Sequence, residues 1–436
     1  MHPSRVIRGR ASQLLAGRRI VVGVSASIAA VELPRVIREL IRHGADVRAV
    51  MSPDAAKVVT VEALQFATGH PPVTALTGDV EHVTLLGPGE GQADLLLIAP
   101  ATANTIGKIA HGIDDTPVTS CASVALGGGV PILLAPAMHA DMNRNPAVRE
   151  NLERLASWGV GLIAPSSAEG EAKIATPEEV AASVLHRLAR GAWVGRPVVV
   201  IGGAGRERID DVRSVTNESS GAMAVALATQ AHFRGAAVEL WLGAVEVPVP
   251  PFLPTRRWRS LQELRRLLSG RPGLPREVAA VWVPAALPDF TLRARPGKIP
   301  SHEEGPLTIQ LERAPKLLPE VRRRAPPPTL LVGFKLESGL PERELLKSAE
   351  RLRKEVGLDF VVANDRSSMG RSETRLALLS AGGEPLRLTG PKRDVAGVLL
   401  EEVGKSLRPG RNGRAHRPGT RSGRERGPTR SGAAGR

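Results

Sequence analysis

Short apolar runs alternate along this chain with stretches whose apolar residues recur at helical spacing. The first run, Arg19 to Ser25, ends in Gly23-Val-Ser25-Ala-Ser27 and is followed by helical periodicity through about His43. Ala45 to Met51 is a second run, closed by Ser52-Pro53 and a helix from Asp54. The pattern continues through Leu95–Ala99, Ile132–Ala135 and Gly161–Ala164, and Pro177 to Arg190 reads as a closing helix. Strand, Gly/Ser turn and amphipathic helix in this order imply right-handed crossovers and a parallel sheet. The expectation is an α/β protein whose first domain is Rossmann-like.

The alternation restarts near residue 196. Val198 to Ile201 predicts a strand, Gly202-Gly-Ala-Gly205 a tight turn, and Ser220 to about Arg234 a helix. Strands follow at Ala237–Leu242, Val278–Pro284, Thr329–Phe334 and Asp359–Ala363, with a helix at Leu261–Leu268. The predicted organisation is an extension over 1–17, one domain over 18–190, a linker over 191–197, a second Rossmann-like domain over 198–405, and a disordered basic tail over 406–436.

Composition changes this picture in three places. With 436 residues and 42% hydrophobic content, two cores are within reach. No apolar run has the length of a membrane span, and Met1 to Arg10 is basic without an apolar signal core, so the expectation is cytoplasmic. Cys121 is the single cysteine, which excludes an intrachain disulfide and any cysteine-rich metal site. Of the net charge of +15, nine arginines against Glu425 alone fall after Leu407, in a Gly/Pro/Ser-rich segment. Such a segment cannot bury enough apolar surface to fold, and without interleaved aromatics a solvated tail is favoured over a nucleic-acid site.

Candidate chemistry gathers at the strand ends. Ala99-Pro-Ala-Thr-Ala-Asn104 and Pro136-Ala-Met-His139 each follow a predicted buried strand and lead toward a helix. Small and hydroxyl residues there leave backbone N–H groups free to face a phosphate-bearing planar cofactor. Taken singly, His82 reads as structural, Asp114-Asp115 as a helix-capping loop and His139 as a strand-end residue.

Together with Ser25-Ala-Ser27-Ile-Ala29, these segments resemble the flavin-dependent phosphopantothenoylcysteine decarboxylases, over about residues 18–190. Pro136-Ala-Met-His139-Ala-Asp-Met142, with His in place of the bacterial Asn, looks like the archaeal branch. The resemblance implies bound FMN, oxidation of a cysteinyl thiol to a thioaldehyde, loss of CO₂ as an enethiolate, and return of the hydride. It places Ser25, Ser27, Ser52, Thr102, Asn104 and Ser120 on FMN. It makes His82 the catalytic histidine, and Asn104, His139 and Met142 substrate contacts. The family's flap cysteine has no counterpart in Ser166 to Ala175, where Lys173 is the candidate donor; Cys121 reads as a buried core residue.

The second half carries Gly202-Gly-Ala-Gly205, Asp210-Asp-Val-Arg213 and Asn217-Glu-Ser-Ser-Gly221, then Asp289, Lys298-Ile299, Ala314-Pro-Lys316, Phe334 and Ala363-Asn-Asp365. This set resembles phosphopantothenate–cysteine ligase over about residues 196–405. The implied reaction uses CTP with Mg²⁺ to activate a carboxylate as an acyl-cytidylate, which the cysteine amine then attacks. Asn217 and Lys298 would be catalytic. Asp289, Phe334 and Ala314, Pro315, Lys316 and Leu317 would line the cytidine pocket, with Lys354 reaching phosphate oxygens and Asn364 supporting the site. Ala222, Ala224 and Pro300 depart from the family's Lys, Gly and Lys.

The combined expectation is an archaeal-type bifunctional coenzyme A biosynthesis enzyme acting on 4′-phosphopantothenate, cysteine and CTP. Its relatives imply a trimeric flavin domain and a dimeric ligase domain, which a dodecamer would satisfy. The alternatives are an FMN-binding regulator without chemistry, or a flavin-dependent decarboxylase or prenyltransferase relative on another substrate.

Overall fold

The computed structural model describes residues 1–164, 175–300, 307–366 and 371–407. The flap with Lys173 and the basic tail from residue 408 lie outside the described residues. No helix among the described residues is long and apolar enough to cross a membrane.

The first sheet contains β1 (Arg19–Val24), β2 (Asp46–Met51), β3 (Leu95–Ala101), β4 (Ile132–Pro136) and β5 (Gly161–Leu162). Their order is β2-β1-β3-β4-β5 and every pairing is parallel. Two apolar layers cover its faces, which is why β3 is buried at all seven positions and reads as one apolar run. Strand order reverses between β1 and β3, so the loops after these strands open a crevice at the carboxyl edge.

Two local features differ from the sequence reading. The chain after Ser27 first makes a 3₁₀ turn, Ile28–Glu32, before the α-helix Leu33–Arg42, and Pro53–Lys57 is likewise 3₁₀. β3 also runs past Ala99 to Ala101, with its pairing register shifting between Ile98 and Ala101. The shift accommodates Pro100, which has no N–H to offer the ladder.

The second half builds a larger sheet. Its strands are β6 (Pro197–Gly202), β9 (Ala237–Leu242), β10 (Thr255–Arg257), β11 (Ala280–Val283), β14 (Leu330–Glu337), β15 (Phe360–Asp365), β16 (Glu373–Ser380) and β17 (Leu386–Pro391). The order is β10-β9-β6-β11-β14-β15-β16-β17, with β16 antiparallel to both its neighbours and every other pairing parallel. Two small antiparallel pairs stand apart: β7 (Arg206–Arg208) with β8 (Ser214–Thr216), and β12 (Phe290–Thr291) with β13 (Glu312–Arg313). The sequence reading did not contain β16, β17 or the last helix, Lys392–Gly404, which packs on Ala222–Phe233. Gly202 permits the close approach of β6 to that helix: a Cβ there would stand 2.0 Å from the Ala224 Cβ. Gly203, at φ +81°, takes the turn that follows.

The halves meet at a stacked histidine pair. The rings of His186 and His232 lie 4.4 Å apart at 20°, and His186 Nδ1 donates to the His232 carbonyl at 3.0 Å. Burial, then the neighbouring His186, lowers the pKa of His232 to about 4. The unfolded chain takes up this proton near pH 6.5 and the folded one does not, so the contribution to stability is full above about pH 6.5 and lost as pH falls toward 4. We expect thermal unfolding to show this loss, and His232→Leu to flatten it between pH 7.5 and 5. An equal drop in the variant would assign the pH dependence elsewhere.

Candidate active sites

At the switch point of the first sheet, the Ser25 hydroxyl is buried and already committed. It donates to the Pro100 carbonyl at 2.6 Å and accepts from the Thr102 N–H at 3.1 Å, tying the end of β1 to the end of β3. The Ser52 N–H donates to the Val24 carbonyl at 2.9 Å, so Ser52, Ser25 and Thr102 sit on adjacent strand ends. Thr102 caps the helix Ala103–Ala110 by accepting from the Thr105 N–H, which leaves Asn104 exposed in its first turn. Ser120 is buried, its hydroxyl donating to the Thr116 carbonyl at 3.0 Å.

A cavity of about 970 Å³ opens beside this edge, between the turn after β1 and the loop after β4. Ser27, Met138 and His139 line it, and so does one face of the helix Leu33–Arg42. His139 caps the next helix, its Nδ1 accepting from the Asp141 N–H at 3.3 Å; Met142 is half exposed one turn on. The helix face carries Arg35, Arg38 and Arg42, which sequence reading missed although their spacing places them on one side. Arg35 reaches Glu32 at 3.5 Å and Arg42 reaches Glu39 at 2.9 Å. A hydrogen bond from His43, ahead of one from Arg42, holds the Glu39 carboxyl at about 2. Arg38 stacks 5.5 Å over the Phe66 ring, and its buried Nη1 has no hydrogen-bond partner among the described residues.

His82 opens the helix Glu81–Leu86, after Val80 in the left-handed region at φ +45°. Leu86 lies beside Gly128, so this helix runs parallel to Pro117–Gly128 and its His82 end points to the carboxyl edge of the sheet. The His82 Nδ1 is buried without a hydrogen-bond partner among the described residues. His82, Ser52, Thr102, Asn104 and Ser120 share this edge but are not in the lining of the large cavity. Hydroxyls, the open end of a 3₁₀ turn and two unsatisfied buried nitrogens fit the phosphate and polar ring edge of the expected FMN. Cys121 is buried, and burial pushes its thiol up to about 12, which makes it an inert core residue.

In the second half a cleft of about 150 Å³ gathers Ser219, Ser220, Phe334, Asn364, Thr374 and Lys392. Phe334 and Asn364 were expected there; Thr374 and Lys392 were not. Asn217 Nδ2 donates to the Leu287 carbonyl at 3.0 Å, which places Asn217 next to the segment bearing Asp289. Asp289 pairs with Lys316 at 2.5 Å, both exposed, and its carbonyl accepts from the Ala314 N–H at 2.9 Å. Ala314 and Leu317 are buried in the apolar layer, whereas Pro315 is exposed. Lys354 projects to solvent from Glu342–Val356, 3.6 Å from Glu350 on its own helix, and is not brought to the cleft.

Lys298 is exposed on a loop clamped at both sides. The buried Asp210 carboxylate accepts N–H bonds from Arg213 at 2.6 Å, Val212 at 2.8 Å and Ile299 at 3.1 Å, and pairs with the Arg213 guanidinium at 2.8 Å. The Arg213 N–H leads the set of donors that hold this carboxyl at about 2. Asp211 accepts from the Gly297 N–H at 3.0 Å. Among the described residues no three His, Cys, Asp or Glu side chains are grouped to hold a metal ion.

Comparison with known proteins adds the following. Residues 8–189 match the Flavoprotein family, and residues 193–407 match the DNA/pantothenate metabolism flavoprotein C-terminal domain. The chain is 42% identical to the coenzyme A biosynthesis bifunctional protein CoaBC of Thermococcus kodakarensis, over 93% of this chain and 100% of that one. It is 34% identical to the CoaBC protein of Methanocaldococcus jannaschii, over 94% of this chain and 98% of that one. Among solved structures, the C-terminal domain of a CoaBC protein aligns with 50% of this chain and 98% of its own, at 25% identity and a TM-score of 0.40.

The clamp makes a direct prediction. Asp210→Ala should expose the Ile299, Val212 and Arg213 amides to hydrogen exchange while Gly297, held by Asp211, keeps more of its protection. Unchanged exchange at Ile299 would show that the Lys298 loop does not depend on this carboxylate.

Proposed function

The chain belongs to the CoaBC family of bifunctional coenzyme A biosynthesis proteins, and from that membership we propose which residues carry each reaction. It is an enzyme with phosphopantothenate–cysteine ligase and phosphopantothenoylcysteine decarboxylase activities, and its first half is a flavoprotein. In our reading, residues 198–405 join 4′-phosphopantothenate to cysteine with CTP, and residues 18–190 decarboxylate the product to 4′-phosphopantetheine. The observation that carries the decarboxylase assignment is the row Ser52, Ser25 and Thr102 on adjacent strand ends, beside a cavity lined by Ser27 and His139.

FMN bound at this edge supplies two-electron chemistry to the cysteinyl group. The Ser27 hydroxyl, the N–H groups of the turn behind it and the Arg38 guanidinium suit its phosphate. Ser25 acts on the loop rather than the ligand, because its hydroxyl already bridges β1 and β3. Ser52, Thr102 and Ser120 complete the surround, Asn104 and His139 orient the substrate carboxylate, and Met142 packs beside them. The His82 imidazole, with one nitrogen unpartnered, takes or returns the substrate proton. Because His82 is not in the cavity lining, a trimer that brings a neighbouring copy to this edge would complete the site.

In the ligase half, Lys298 on its clamped loop neutralises charge developing at the α-phosphate of CTP. Asn217 holds the acyl-cytidylate for attack by the cysteine amine, and Asp289, Phe334 and the Ala314–Leu317 segment bound the cytidine site. Mg²⁺ would arrive on the nucleotide phosphates. Dimeric ligase domains combined with trimeric flavin domains give a dodecamer, and the setting is cytoplasmic.

Purified protein incubated with FMN, Mg²⁺, CTP, cysteine and 4′-phosphopantothenate should form phosphopantetheine and CMP, detected by mass. His82→Asn should stop CO₂ release by about 10²–10⁴-fold while phosphopantothenoylcysteine accumulates. Asn217→Ala should do the reverse, losing ligation but still decarboxylating supplied phosphopantothenoylcysteine. If either variant lost both activities, the assignment of one reaction to each half would fail.

A further inference from the structure

Lys392 has no place in the mechanism above, yet among the described residues it is the only cation lining the ligase cleft. It opens the helix Lys392–Gly404 and is held at both ends: its N–H donates to the Ser372 carbonyl at 3.0 Å, and its ammonium donates to the Arg371 carbonyl at 2.6 Å. No carboxylate pairs with it among the described residues, and burial alone lowers its pKa. The other charged residue of the lining, Glu218, is turned to Arg366 at 3.1 Å. A partly buried ammonium facing a cleft without a counter-charge is disfavoured until an anion enters.

The groups around it suit a phosphate. Ser219 and Ser220 bring hydroxyls, and Asn364 an amide, to the same cleft. Ala222, which stands where the ligase resemblance expects a lysine, contributes no charge. Lys298, assigned above to the α-phosphate of CTP, is not in the lining of this cleft and sits on the exposed loop held by Asp210 and Asp211.

We propose that Lys392 is the phosphate-binding cation of the ligase cleft, pairing with a phosphate group of a bound substrate. This rests on the ligase reading above. Two substrates carry that chemistry, the phosphomonoester of 4′-phosphopantothenate and the polyphosphate of CTP, and kinetics separates them.

The test uses the full chain with Lys392→Met and Lys392→Arg, measuring KM for CTP, 4′-phosphopantothenate and cysteine, and decarboxylation of supplied phosphopantothenoylcysteine. Loss of a charge-assisted contact should raise one phosphate-bearing substrate's KM by about tenfold or more in Lys392→Met, with Lys392→Arg restoring most of it. The KM for cysteine and the decarboxylation rate should stay at wild-type values. A rise for CTP identifies the polyphosphate; a rise for phosphopantothenate identifies the monoester. Unchanged KM values in an active Lys392→Met enzyme would overturn the proposal alone, as would a lower Tm in both variants with all three KM values rising together. Absence of ligation by the wild-type protein would instead overturn the ligase reading.

Discussion

Parallel pairing of β1 with both β2 and β3 is the constraint on which the first half depends. It sends every strand end to one edge and separates the two adjoining loops at the point where strand order reverses. The Ser25 hydroxyl then joins those loops, satisfying the buried Pro100 carbonyl and the Thr102 N–H at once. Removing it would leave both without this partner. This edge of the sheet is therefore held by backbone geometry, and Ser27 and His139 line the cavity beside it.

The second half uses the same parallel logic with a different lock. Asp210 is buried, yet its charge is retained because three backbone N–H groups and one guanidinium converge on it. Its consequence is felt two loops away, where Lys298 is kept between Gly297 and Ile299. One wall of the cleft in this half comes from Thr374 and Leu376 of β16 and from Lys392 at the start of the last helix, beyond the parallel part of the sheet. Thus Phe334, Asn364, Thr374 and Lys392 share one cleft while Asp289 and Lys316 stand outside it. The two halves meet at the His186–His232 stack, where burial lowers the pKa of His232.

Much of this was legible from local pattern. Strands buried on both faces read as apolar runs, so β1, β3, β4, β6 and β15 were found within a residue or two at most ends. The Gly/Ser turns after them were found because small residues at a strand end are chemically conspicuous. β17 was missed because this edge strand has no fully buried residue, and β16 because its first half alternates exposed and buried positions and so lacks a continuous apolar run. Arg38 and Lys392 were missed because a cation on a helix face or at a helix start is ordinary until a cavity is seen beside it.

The sequence by itself determined the α/β class, the restart near residue 196, the strand-end motifs and the families they resemble. Those properties depend on periodicity and on residue types at short spacing, which the chain carries locally. Tertiary structure decided which of those residues meet. It committed Ser25 to the backbone, turned Lys354 to solvent, clamped the Lys298 loop and brought Lys392 into a cleft. Each outcome depends on contacts between segments distant in sequence, and such contacts are set by how sheets and helices pack rather than by any local pattern.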